Sequence, residues 1–111
     1  MGVAETKQQL FYWLADDGYP EYVKRKLEEA LKISTKEVYD TIQEILHEED
    51  MYGNPIYGEK DYMELDKETV DCIGNYRKFE NRTNIKNGYI YIIENSKVYV
   101  FNVEIGEYIN V

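Results

Sequence analysis

The sequence predicts an α+β fold in which three N-terminal helices precede a small antiparallel sheet, within one domain spanning residues 1–111. Three observations predict it. Apolar residues recur at helical spacing as far as Leu46. A capping signature at Ser34 divides that stretch. Beyond Gly74 the pattern changes to alternation, with Asn-Gly and Asn-Ser pairs placed as turns.

A first helix is expected over Thr6 to Asp16, where Leu10, Phe11, Trp13 and Leu14 form an apolar face and Gly18 and Pro20 supply the stop. Pro20 suits the first turn of a second helix, because its missing N–H is unneeded there. Val23, Leu27, Ala30 and Leu31 carry that helix to about Leu31, with Lys24, Arg25 and Lys26 on its solvent side. The third helix starts at a capping box, Ser34 with Glu37, and a hydrophobic staple is expected between Ile33 and Val38. Its inward residues are Val38, Ile42, Ile45 and Leu46, so Glu37, Asp40, Glu44 and Glu48 line an outer stripe about 16 Å long. The helical part thus covers 6–50, and two short strands joined by a loop are expected over 51–65. Asp66 reads as the cap of a brief helical turn. Strands are expected at Tyr76–Glu80, Gly88–Glu94, Lys97–Val103 and Glu107–Val111, the antiparallel part of 75–111. Tyr89, Tyr91 and Ile93 would share one face of that sheet, and Ile90 and Ile92 the other.

Composition narrows the function classes. Hydrophobic residues at 43% and charged residues at 32% suit a globular chain rather than a disordered one. No apolar run approaches the ~20 residues of a membrane span. The opening residues lack a secretory pattern, and the context of Gly2 is poor for myristoylation. One cysteine, Cys72, cannot form an internal disulfide, so an intracellular, cytoplasmic setting is expected. The acceptor triplet Asn81-Arg82-Thr83 is expected to be an ordinary loop. Net charge is −9, and residues 1–74 hold 18 acids against 8 bases. Such a field repels phosphate backbones and attracts basic surfaces. Twelve tyrosines are available either as strand residues or as interface anchors.

Leu27-Glu28-Glu29-Ala30-Leu31-Lys32-Ile33-Ser34, followed by Val38 and Ile42, resembles winged helix-turn-helix domains. Leu31, Ile33, Ser34, Val38 and Ile42 match that family, while Glu28 stands where a small Ala is usual and Lys32 where Gly is usual. The resemblance covers residues 6–65 and implies a winged-helix-like arrangement of the three helices, with 51–65 as the wing hairpin. It also implies that the exposed face of the helix after Ser34 reads bases. Here that face carries Thr35, Lys36, Glu37, Tyr39, Asp40, Gln43 and Glu44, one cation against three acids, so the electrostatic term of DNA binding is missing.

Two functions from different classes therefore compete. The first is a non-enzymatic acidic protein that binds the basic surface of a nucleic-acid-handling protein and inhibits or modulates it. Its contact would use Glu37, Asp40, Glu44, Glu48, Glu49 and Asp50, with Tyr39, Tyr52 and Tyr57 as anchors. In composition such a chain is similar to small acidic, Tyr-rich phage-type inhibitors, anti-CRISPR proteins among them. The second is a winged-helix transcription regulator acting as a dimer, with Lys36, Tyr39 and Gln43 on bases and Lys24, Arg25 and Lys26 on phosphates. A structural subunit assembled through its Tyr-rich sheet is a further alternative.

Catalysis is not expected, because no carboxylate lies in an apolar context that would shift its pKa. His47-Glu48-Glu49-Asp50 offers metal-capable atoms, but consecutive residues splay around a helix end and no second His exists, so no metal site is expected. Cys72 reads as a structural thiol and Trp13 beside Phe11 as core. Gly53 and Gly58 lack the Lys-Ser/Thr ending of a phosphate loop, so no cofactor is expected.

Overall fold

A computed structural model of the chain describes residues 9–15 and 20–111. It is a three-layer α+β arrangement around one antiparallel sheet, and the N-terminal three-helix, winged-helix-like expectation does not hold. The elements are β1 (Leu10–Leu14), α1 (Pro20–Leu31), α2 (Thr35–Leu46), β2 (Tyr62–Glu64), α3 (Lys67–Val70), α4 (Tyr76–Thr83), β3 (Tyr89–Glu94), β4 (Lys97–Asn102) and β5 (Glu107–Ile109). The strands lie in the order β2-β1-β3-β4-β5.

The central correction is β1. Leu10-Phe11-Tyr12-Trp13-Leu14, expected in a helix, is a strand paired with β2 on one side and β3 on the other. All five residues are buried. A run of five apolar residues fits a helix face and equally fits a strand covered on both sides. Pairing with β3 selects the strand, because every second residue then finds a core. The remainder of the predicted first helix, 6–8 and Asp16, lies outside the described residues.

Two cores follow from the alternation. Leu10, Tyr12, Leu14, Tyr91, Ile93, Val98 and Val100 face α1 and α2, where Val23, Leu27, Ala30, Val38, Ile42, Ile45 and Leu46 meet them. Phe11, Trp13, Ile90, Ile92 and Phe101 face the other way, against Leu65, Phe79, Ile85 and Val103. Tyr91, Ile93 and Tyr89 thus share a face opposite Ile90 and Ile92, as the alternation predicts.

The local signals of α1 and α2 hold in part. Ser34 Oγ accepts from the Glu37 N–H at 3.0 Å. The Ser34 N–H, however, goes to the Ala30 carbonyl, and Ile33 is 72% exposed, so the expected staple on Val38 leaves Ile33 outside the core. Asp66 caps α3 by accepting from the Thr69 N–H at 2.8 Å. Asn95-Ser96, both at positive φ, forms the β3–β4 turn.

Two further expectations are corrected. The 51–65 wing hairpin is absent among the described residues: only Tyr62–Glu64 is a strand, and it pairs with β1. The loop before it carries the turn signals Gly53-Asn54-Pro55 and closes through a single bridge between Glu49 and Pro55. Tyr76–Glu80 is helix rather than strand, capped by the Asn75 side chain on the Lys78 N–H at 3.3 Å. Phe79 alone of α4 is buried, which suits one helical face and not strand alternation. The Asn81-Arg82-Thr83 triplet consequently lies in the last turn of α4 and not in a loop.

Candidate functional site

Helix α2 lies across the sheet with Val38, Ile42, Ile45 and Leu46 inward, so its opposite flank is fixed by 3.6-residue periodicity. Glu37, Asp40 and Glu44 occupy that flank, and Glu48 continues it past the C-cap His47. The helix has no basic residue in its last turn. His47 supplies instead a ring nitrogen 2.7 Å from the Gln43 carbonyl. The chain then turns tightly around Asp50, whose Oδ1 accepts from the Tyr52 and Asn54 N–H groups at 2.8 and 3.0 Å. Glu49 and Asp50 are exposed beside the ridge.

The carboxylates are partly balanced. Asp40 pairs with Lys36 at 2.9 Å, and that bond holds the Lys36 ammonium above its usual pKa. Tyr22 donates to Glu48 at 3.1 Å. Lys26 sits 5.1 Å over the Tyr22 ring, raised in pKa first by its bond to Tyr22 and then by the charges of Glu48 and Glu44. Surface pairs of this kind contribute little to stability and leave most of the field intact. Across residues 20–65 there are 12 acids against 6 bases, whereas residues 66–86 hold 4 acids against 5 bases. The α1–α2 layer is thus acidic. In the α3–α4 layer Arg82 pairs with Asp66 and Glu68, Lys67 with Asp71, and Lys86 with Glu80.

The predicted anchors divide. Tyr52 is 81% exposed at the tip of the turn, and Tyr39 is 43% exposed on α2. Tyr57 is buried in the first core and is not the exposed anchor expected. Its burial follows from the turn, which folds 56 and 57 back towards the helix through the Ile56 N–H to Glu48 carbonyl bond. Met51, 88% exposed next to Tyr52, joins the tip and carried no signal in the sequence beyond its turn context.

The six residues expected on DNA are mostly engaged elsewhere. Lys24 donates to the Val111 oxygen at 3.1 Å, Lys36 to Asp40, and Lys26 lies on Tyr22. The Gln43 amide is at the Tyr12 hydroxyl, on the flank of α2 that also carries Tyr39. Burial, and then the charge of Glu64, push Tyr12 up to about 12. Arg25 is exposed on α1. Lys24, Lys26 and Lys36 are therefore each engaged within the chain. Among the described residues there is no cluster of three or more His, Cys, Asp or Glu able to hold a metal, and no helix long and apolar enough to cross a membrane. No protein-family model, curated protein or solved structure matches the chain.

Proposed function

We propose that the chain is a non-enzymatic, cytoplasmic acidic protein whose α2 face docks on the basic surface of a nucleic-acid-handling protein and blocks it. One observation carries this reading. Glu37, Asp40, Glu44 and Glu48 share one flank of α2 and run into Glu49 and Asp50, directly beside the exposed Met51 and Tyr52. The ridge imitates a phosphate strand in the sign of its charge, without its bases. Concentrated charge raises encounter rates by roughly 10- to 1,000-fold at low salt. The apolar tip, desolvated on contact, sets the residence time.

The test uses the purified full chain as bait in extract of its native host, at low salt and at about 0.5 M salt. The expected prey is a nucleic-acid-binding protein that is released by high salt and by competing duplex. The Glu37→Gln/Glu44→Gln/Glu48→Gln variant, isosteric and outside the core, should slow its association by roughly tenfold or more while leaving the fold intact. Met51→Ala/Tyr52→Ala should instead speed dissociation. Tight binding of the chain itself to duplex DNA at about 50 mM salt overturns the reading, since the acidic ridge cannot then be the working face.

A further inference from the structure

We infer that the cleft between α1 and the β3–β4 turn is a binding site for a small, soluble phosphate-bearing anion, separate from the acidic face of α2. The cleft is an open groove of about 560 Å³. Lys24 and Lys32 reach it from α1 and the residue after it, and Lys97 from the start of β4. Lys32 and Lys97 therefore line it beside Lys24, whose ammonium is on the Val111 oxygen, against one lining carboxylate, Glu28, in a chain whose net charge is −9.

The lysines of this cleft differ from three of the five bases of the α3–α4 layer. Lys67, Arg82 and Lys86 are each paired with carboxylates, whereas Lys32 and Lys97 take part in no ion pair among the described residues. Lys24 is held in place by its bond to the Val111 oxygen. Lysine ammoniums bind phosphate as point charges and can turn to meet it. Ser96 adds a hydroxyl at the rim, on a turn fixed by two residues at positive φ. Leu31 and Val98 supply an apolar wall for the organic part of the ligand. The walls are regular elements that pack on each other, α1 against β4, so the site is preformed. Glu28 lines the same cleft and can accept from a ligand hydroxyl.

The probe is inorganic pyrophosphate, titrated into the full chain and followed by amide chemical shifts at low ionic strength. Saturable shifts confined to Lys24, Leu31, Lys32 and Ser96 to Val98 are expected. Lys32→Gln/Lys97→Gln should weaken binding by at least ~10-fold. Both lysines are exposed, so the fold should persist, and its spectrum elsewhere reports whether it does. Glu28→Gln should tighten binding, a change that a damaged fold cannot produce. Shifts spread evenly over Arg77, Lys78 and the other surface cations overturn the proposal. So does equal affinity in the double-lysine variant. Sedimentation with phosphatidylglycerol vesicles but no saturation by pyrophosphate would assign the lysines to a lipid surface and overturn it as well.

Discussion

Replacing Tyr91 by Phe should stabilise this protein, and the reason is visible in the first core. Tyr91 is 1% exposed, and its hydroxyl makes no hydrogen bond. It borders a void of about 10 Å³ among Tyr12, Leu14, Val23, Leu27, Ile42, Ile45 and Leu46. Burying an unpaired hydroxyl costs about 1–3 kcal/mol, while the Phe ring keeps nearly all the apolar contact. Loss of the oxygen's own packing offsets part of that gain, leaving a net stabilisation of ~1 kcal/mol and a rise in Tm of ~4 °C for a chain of this size. Burial also pushes the Tyr91 phenol far above its ordinary 10.0, followed in effect by its tyrosine neighbours. Its folded pKa exceeds the unfolded one, so the neutral phenol's contribution is complete below pH 10 and is lost as pH rises above it. The advantage of Tyr91→Phe over the parent should therefore widen above pH 10 by ~1.4 kcal/mol per pH unit. Urea unfolding at pH 7 and through the alkaline range measures both effects. A variant that is less stable than the parent by ~1 kcal/mol at pH 7 would refute the reasoning, because the hydroxyl would then have a partner, such as a water in the adjoining void.

Ser34→Ala removes the acceptor for the Glu37 N–H and should lower stability by ~1 kcal/mol, with Ser34→Asp restoring it, both read by thermal unfolding. Gly88→Ala should cost several times more, roughly 3 kcal/mol, because Gly88 has φ +93 and an added Cβ would lie 2.5 Å from the Leu14 carbonyl and from Trp13 Nε1. The same change would displace Trp13 from its bond to the Asn87 carbonyl at 2.8 Å, so a shift in tryptophan fluorescence should accompany the loss. Unchanged stability and emission would show that β1 and β3 can separate there without penalty.

Much of the candidate face was readable before any tertiary contact was known. The Ser34 cap and the spacing of Val38, Ile42, Ile45 and Leu46 place Glu37, Asp40, Glu44 and Glu48 on one flank, because a helix start and a 3.6-residue period are settled by near neighbours. Tyr57 was misplaced for the opposite reason. Nothing beside it in sequence distinguishes an exposed aromatic from one folded back under a helix, and a bond from Ile56 to Glu48 decides the matter. The lysine cleft was likewise invisible, since Lys24 and Lys32 meet Lys97 only after α1 packs on β4.

The sequence by itself determined the helix pair α1 and α2 with the Ser34 cap between them, the alternation of β3 and β4, the Asn95-Ser96 turn and the acidic surplus of the α1–α2 layer. Each is a property of adjacent residues or of summed charge. Only tertiary structure decided that Leu10–Leu14 is the strand between β2 and β3, and that Tyr76–Thr83 is a helix covering the sheet's second face. An apolar run takes either conformation locally, and the free energy that separates them comes from distant partners. For β1 those partners are Ile90, Ile92 and Phe79 on one side and Leu27 and Ile42 on the other, and no local pattern records which of them it will meet.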